Sequence, residues 1–136
     1  DKTQDVKLIY DRLKKENDSV HKVHKTVYRP WGFYSCIANG EGYLTKKIHV
    51  NPGQKLSIQS HNHRAEHWVV AVGEATVLKG DETLKLTVGQ SVDIAIGEKH
   101  SLQNLSDGDV EIVELQIGDI LSEDDIVRYE DMYGRV

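Results

Sequence analysis

The pattern of hydrophobic and polar positions changes near Val27. Before it, residues 4–18 carry apolar side chains at three- and four-residue spacing, which is typical of one face of an amphipathic helix. A polar stretch at residues 19–26 follows and reads as a linker. The first part of the chain is therefore predicted to be a helix that docks on another element, because an isolated helix of this length is marginal in water.

From Val27 onward, short segments with a two-residue period are separated by turns rich in glycine, asparagine and aspartate. Many short strands at this spacing favour an all-β sandwich or barrel over a parallel α/β fold. Residues 122–129 are predicted to form a short C-terminal helix, with Ser122 as its cap and Asp125 in the capping-box position. The predicted strands are residues 32–37, 43–50, 55–61, 68–72, 75–79, 82–87, 91–96 and 110–117.

Composition and charge narrow the class of protein. The chain has 136 residues, enough for one domain with its own core. It carries 17 basic and 22 acidic residues in a mixed order, for a net charge of −5, whereas a nucleic-acid surface would need a basic stripe. The longest apolar run, residues 68–72, is far shorter than the ~20 residues of a membrane helix. We therefore expect neither a nucleic-acid nor a membrane partner.

The N-terminus of the chain and its cysteine content bear on the cellular compartment. The polar N-terminus has no signal-peptide pattern, and the single Cys36 excludes an internal disulfide. We accordingly expect a cytoplasmic protein. The chain begins at Asp1 rather than at methionine, so we expect it to be a piece of something longer.

Potential metal ligands are densest between Gln59 and His67. Alternate residues of a strand face the same side, so Gln59, His61 and His63 would share one face. Glu66 follows after a turn, and His100 comes from a distant strand end. Imidazole nitrogens, a carboxylate and an amide oxygen together form a plausible divalent-metal site with room for a substrate. The alternative is that these are solvated loop residues.

Two spaced series of residues decide between these readings. The first is Gly53, five residues, Gln59, one, His61, four, Glu66, six, Gly73. The second is Gly89, five residues, Ala95, one, Gly97, two, His100, three, Asn104. Together they resemble the two signature motifs of the cupin superfamily, a jelly-roll β-barrel that often binds metal inside.

The resemblance has two departures and one competing register. Gln59 stands where the first motif normally has histidine, and Ala95 where the second normally has proline. Taking His61 and His63 as the histidine pair instead leaves only two residues before Glu66 and seven after Gly53, which fits the motif worse. The resemblance therefore implies four metal ligands: Gln59, His61, Glu66 and His100.

A narrower resemblance covers most of the chain. The Leu-Ser-Ile-Gln-x-His segment at residues 56–61 is similar to the metal-binding segment of zinc-dependent phosphomannose isomerases. Further segments look like the type II phosphomannose isomerase cupin: residues 28–32, 52–57, 63–68 and 124–131. In that family the cupin is the C-terminal domain of a bifunctional mannose-6-phosphate isomerase and mannose-1-phosphate guanylyltransferase. The resemblance implies a connector helix and linker at residues 1–26, a cupin domain at 27–136, and a nucleotidyltransferase domain elsewhere in the parent chain.

The resemblance also implies a reaction, the zinc-dependent interconversion of mannose 6-phosphate and fructose 6-phosphate. His63 is the first candidate for proton transfer, its alternative being a histidine at the rim. Lys46 has the parity of Ile48 and Val50, so it either points inward to the substrate or lies on the outer face.

Two arginines are candidates for the substrate phosphate, since a guanidinium can donate two parallel hydrogen bonds. Arg64 lies beside the metal segment and Arg135 lies in the C-terminal Tyr-Gly-Arg. The alternative for each is a solvated surface arginine.

Competing functions remain at this stage. The main alternative to an isomerase is a non-catalytic module that binds sugar or supports an oligomer. An iron dioxygenase is disfavoured by Gln59, and a metal-free sugar-nucleotide epimerase is disfavoured by the ligand set. A homodimer is expected, because a β-sandwich leaves strand edges that a second copy can cover.

Overall fold

A computed structural model describes residues 25–130 of the chain. Within them, every regular element is a β-strand, and no helix could span a membrane. The connector helix predicted at residues 4–18 lies outside the described residues. The strands are β1 (Thr26–Arg29), β2 (Gly32–Gly40), β3 (Tyr43–Val50), β4 (Ile58–Ser60), β5 (Arg64–Val72), β6 (Ala75–Lys79), β7 (Glu82–Leu86), β8 (Ser91–Ile94), β9 (His100–Gln103), β10 (Val110–Gly118) and β11 (Val127–Glu130).

The strands form two antiparallel sheets. One has the order β1-β2-β3-β10-β5-β8 and the other β11-β4-β9-β6-β7. Their inner faces share one hydrophobic core, to which both sheets contribute. The predicted all-β architecture is confirmed: this is a jelly-roll barrel of the cupin type. The core residues are Trp31, Ile48, Val50, Trp68, Val70, Ala75, Val77, Leu86, Val92, Ile94, Leu102, Val110 and Ile112.

Strand β10 lies between β3 and β5 and shows how the alternating pattern builds the interior. Its buried and half-buried residues alternate strictly from Val110 to Gln116. The register pairs Val110 with Val50 and Ile112 with Ile48. Since residues opposite each other on adjacent strands face the same side, these rows of side chains fill the barrel. The two-residue period of the sequence is thus the period of the fold.

The predicted C-terminal helix is wrong. Ser122 does cap a turn, since its Oγ accepts a hydrogen bond from the Asp124 amide at 3.1 Å and its carbonyl one from the Asp125 amide at 3.0 Å. The chain then extends into β11, which pairs with β4. Ser122 therefore caps a turn rather than a helix, because cross-strand pairing of the segment that follows outweighs helix propagation.

Candidate metal centre

A cavity inside the barrel collects the polar side chains that the sheets turn inward. Gln59 on β4 and His100 on β9 are direct cross-strand partners, and both line this cavity. Glu66 reaches it from β5, and His61 reaches it from the turn that joins β4 to β5. His61, Glu66 and His100 are all buried. The four predicted metal ligands therefore converge on one cavity.

The geometry of three of these residues suits a metal ion. The Glu66 Oε1 atom lies 3.2 Å from His61 Nε2 and 3.4 Å from His100 Nε2, and the three candidate ligand atoms lie within 4.8 Å of one another. The Nδ1 atom of His61 contacts the Asp125 carbonyl at 2.5 Å, and that of His100 contacts the Glu98 carbonyl at 2.9 Å. A carbonyl only accepts, so each Nδ1 donates a hydrogen bond to the backbone and each ring presents its Nε2 to the cavity.

The electrostatics of the cluster also favour a cation. Burial opposes the charge of Glu66, but the His100 and His61 imidazoles beside it hold the pKa of that carboxyl well below its usual range. Burial likewise opposes the charge of His100, yet the Glu66 carboxylate raises the pKa of its imidazole. Glu66 Oε2 and His100 Nε2 are buried without a hydrogen-bond partner. The residues present therefore fit a divalent ion with nitrogen and oxygen ligands, Zn²⁺ included.

Two cations predicted from the sequence are brought to the same cavity. Lys46 points inward, forms an ion pair with Glu123 and lies 4.4 Å from the centre of the Tyr34 ring. Its burial lowers the pKa of the ammonium group. Arg64 is buried as well, and its guanidinium contacts the Ser122 carbonyl at 3.2 Å and His61 Nε2 at 3.2 Å. In this arrangement the guanidinium supplies the positive charge beside His61.

His63 is placed differently from its prediction. Strand β4 ends at Ser60, so the alternation that should align His63 with His61 stops before either residue. The His63 side chain is 47% exposed, and its Nδ1 lies 4.0 Å from Asp119. The expectation that it shares the inner face is therefore wrong. Arg135, the other phosphate candidate near the end of the chain, lies outside the described residues.

The structure also adds cavity residues that the sequence analysis missed. Glu114 and Gln116 on β10, Arg128 on β11 and Arg29 on β1 all line the cavity. Burial and the nearby Glu66 carboxylate raise the pKa of Glu114 to about 7. Arg128 carries a buried Nε–H without a partner. The sequence does carry a signal for two of them. Glu114 and Gln116 continue the inward parity of Val110 and Ile112, and a polar residue at an inward position is unusual unless it has a function.

Comparison with known proteins identifies the family of this chain. The family model described as "Mannose-6-phosphate isomerase C-terminal" matches residues 16–131. The chain belongs to this family. The resemblance predicted from the motifs is thereby confirmed.

Longer proteins share the same region. The chain is 47% identical over 135 residues to the "Xanthan biosynthesis protein XanB" of Xanthomonas campestris pv. campestris, covering 99% of this chain and 29% of that protein. It is 45% identical over 133 residues to the "Mannose-1-phosphate guanylyltransferase ManC" of Salmonella typhimurium, covering 98% and 28%. The chain thus spans less than a third of the length of these relatives.

A solved structure supports the fold. A conserved protein with a double-stranded β-helix domain from Klebsiella pneumoniae aligns with a TM-score of 0.66 at 18% identity, over 83% of this chain and 95% of that one. At this level of identity the likeness concerns the fold alone.

Proposed function

We propose that this domain is a metal-dependent aldose–ketose isomerase that interconverts mannose 6-phosphate and fructose 6-phosphate. The observation that carries the proposal is the convergence of His61, Glu66 and His100: the Nε2 atoms of both histidines lie within 3.4 Å of one Glu66 carboxylate oxygen, and a backbone carbonyl holds each Nδ1. Gln59, the cross-strand partner of His100 on the neighbouring strand β4, completes the proposed ligand set. A bound divalent ion would act as a Lewis acid that stabilises the negative oxygen formed during enolisation.

The reaction also needs a group that moves a proton between C2 and C1 of the sugar. We assign this role to Glu114 rather than to His63, because Glu114 lines the cavity and His63 is exposed. A carboxyl whose pKa is raised to about 7 is suited both to accept and to return a proton near neutral pH. Lys46 lies directly opposite Glu114 on β3 and contributes a nearby positive charge.

The phosphate of the substrate needs fixed cations. Arg64 and Arg128 both line the cavity, and each has a buried Nε–H without a hydrogen-bond partner. A buried unpaired donor costs free energy unless a ligand satisfies it, and phosphate oxygens match the guanidinium fork. We therefore propose that Arg64 and Arg128 hold the phosphate, while the role predicted for Arg135 stays a prediction.

The direct test is a coupled isomerase assay on Zn²⁺-loaded protein with mannose 6-phosphate, beside a chelated sample and a His61→Ala variant. We expect turnover that chelation abolishes, that Zn²⁺ restores, and that His61→Ala lacks. A His49→Ala variant is the matched control, since His49 stacks on Phe33 at 4.7 Å and is not among the residues that line the cavity. Stoichiometric metal without turnover would contradict the isomerase assignment for this domain.

A non-catalytic module is the second candidate. It is favoured by the name of the Salmonella relative, which mentions only guanylyltransferase activity. On this reading the domain would bind a sugar phosphate or support an oligomer, and the guanylyltransferase activity would belong to a different region of the parent chain. Binding of mannose 6-phosphate without turnover would support it. The predicted homodimer stays a prediction that sedimentation of the purified domain can test.

A further inference from the structure

One connecting segment touches several residues of the candidate metal centre. Residues 119–126 join β10 to β11. Their backbone or side chains contact Arg64 through the Ser122 carbonyl and Lys46 through the Glu123 carboxylate. The same segment reaches His61 through Asp125. Neither the proposed proton transfer nor the proposed phosphate site uses Asp125, although it is only 8% exposed.

Asp125 binds three consecutive residues of the turn between β4 and β5. Its Oδ1 accepts a hydrogen bond from the Asn62 amide at 3.0 Å, and its Oδ2 accepts one from the His63 amide at 2.9 Å. Its backbone carbonyl accepts one from His61 Nδ1 at 2.5 Å. The turn is anchored on its other side by the Gly97 amide, which donates to the His61 carbonyl at 2.7 Å. One residue therefore holds both the turn and the imidazole ring.

The two sets of contacts act together. Residues 61–63 lie between two strands and belong to neither, so their orientation depends on contacts from outside the ladder. The carboxylate fixes the distance between the turn and the 119–126 segment, and this distance places the Asp125 carbonyl against His61 Nδ1. Both oxygens of the Asp125 carboxylate are satisfied by the amides of Asn62 and His63, so the side chain acts as a double acceptor that holds the turn.

We infer that Asp125 is a positioning residue for His61: it fixes the ring in the Nδ1–H tautomer and aims Nε2 at Glu66. This inference rests on the proposed metal-dependent function. Groups that hold the second nitrogen of a metal-binding histidine commonly change metal affinity by about 10- to 100-fold. The backbone carbonyl cannot be removed by substitution, but the carboxylate that places it can.

The test compares Asp125→Ala and Asp125→Asn with wild type, each in the 136-residue chain. Asparagine keeps one acceptor oxygen but turns an amide N–H₂ toward the other backbone amide, so we expect an intermediate effect. Asp124→Ala is the matched control, since Asp124 is exposed and only its backbone amide bonds to Ser122. Circular dichroism checks that each variant is folded.

The first readout is the affinity for Co²⁺, measured by competition with a chromophoric chelator. We expect a loss of about 10- to 100-fold for Asp125→Ala, a smaller loss for Asp125→Asn, and none for Asp124→Ala. The visible absorption of bound Co²⁺ should change as well, because the ligand geometry changes. A role confined to stabilising the turn would lower the unfolding temperature and leave both the affinity and the spectrum as in wild type, and that result would overturn the inference.

The second readout needs no metal. Long-range ¹H–¹⁵N NMR of the metal-free protein reports the tautomer of His61, which should be Nδ1–H in wild type and mixed in Asp125→Ala. An unchanged tautomer in a folded variant also overturns the inference. Wild-type protein that shows the Nδ1–H tautomer but binds no Co²⁺ would instead contradict the proposed metal site, so the two failures are distinguishable.

Discussion

The two ends of the barrel interior use the same strands for opposite purposes. At one end, β3 and β10 present Val50 opposite Val110 and Ile48 opposite Ile112. At the other end, the next inward positions on the same two strands are Lys46 and Glu114. The backbone pattern does not change between the ends, and only the side chains do. The comparison teaches that the barrel separates its stability from its chemistry along the length of β3 and β10.

The two ends differ physically in whether their buried atoms find suitable partners. The apolar end is closed by hydrophobic contacts between the two sheets. The polar end buries charged groups and leaves the Glu66 Oε2, Arg64 Nε and Arg128 Nε atoms without partners. Burying polar groups without partners destabilises a fold, so the polar end is arranged for a ligand and the apolar end supplies the free energy of folding.

The largest expected effect is a loss of metal binding at the polar end. Glu66→Gln removes the negative charge that both histidines face, so the affinity for Zn²⁺ should fall by more than about 100-fold while the circular dichroism spectrum stays folded. Competition titration with a chelator measures it. Glu82→Gln, on an exposed position of β7, is the control and should bind like wild type. Equal affinity in Glu66→Gln would remove the cluster as a metal site.

The second effect is a loss of stability at the apolar end. Ile112→Ala empties a fully buried position, which should lower the free energy of unfolding by about 2–5 kcal/mol. Urea denaturation measures this loss. The affinity for Zn²⁺ of the folded variant should remain, because Ile112 belongs to the hydrophobic core rather than to the cavity lining. Val113→Ala, at the neighbouring half-buried position, should cost less, and a loss of metal binding in Ile112→Ala would argue that the two ends are coupled.

A third prediction separates phosphate binding from metal binding within the polar end. Arg128→Gln removes a cation from the cavity but leaves the histidine cluster intact. We expect the KM for mannose 6-phosphate to rise by about 10- to 100-fold, because a hydrogen bond to a charged group contributes about 1.5–3 kcal/mol. Inhibition by inorganic phosphate should weaken in parallel, and the affinity for Zn²⁺ should stay. Lys85→Gln on β7, which is exposed, controls for the lost charge. A lower kcat at unchanged KM would count against the phosphate role.

The smallest expected effect concerns how the free energy of unfolding depends on pH through the Glu114 carboxyl. Burial and Glu66 raise the pKa of Glu114 from 4.5 to about 7 in the folded chain, so the folded state holds this proton more tightly than the unfolded state does. The stabilising contribution is complete below pH 4.5 and is lost as the pH rises through about 7. Glu114→Gln cannot titrate, so its free energy of unfolding should decline less over this interval.

Urea denaturation of the metal-free protein at several pH values measures that difference. Glu111→Gln, at a half-buried position of the same strand, controls for the removal of one carboxylate from β10. Parallel curves for wild type and Glu114→Gln would mean that Glu114 does not titrate in this range, and would weaken its assignment to proton transfer.

Local spacing was sufficient for part of the candidate site. Gln59 belongs to a strand whose alternation is visible in the sequence, whereas Glu66 and His100 were predicted only from the spacing of the cupin-like motifs. His63 could not be placed this way, because the strand ends at Ser60 and the alternation rule stops with it. The segment after Ser122 was misread for a related reason: its cap signal is local, while its pairing with β4 is not.

The sequence by itself determined the all-β class, the inward parity of long strands such as β10 and the spacing of the metal-ligand candidates, because these follow from a two-residue period and from residue chemistry. Only the tertiary structure decided which inward polar residues share a cavity. Glu114, Arg128 and His61 are distant along the chain and meet because β10, β11 and the turn after β4 are brought together by sheet pairing. Their charges, protonation and candidate partners are properties of that shared environment, which no local pattern contains.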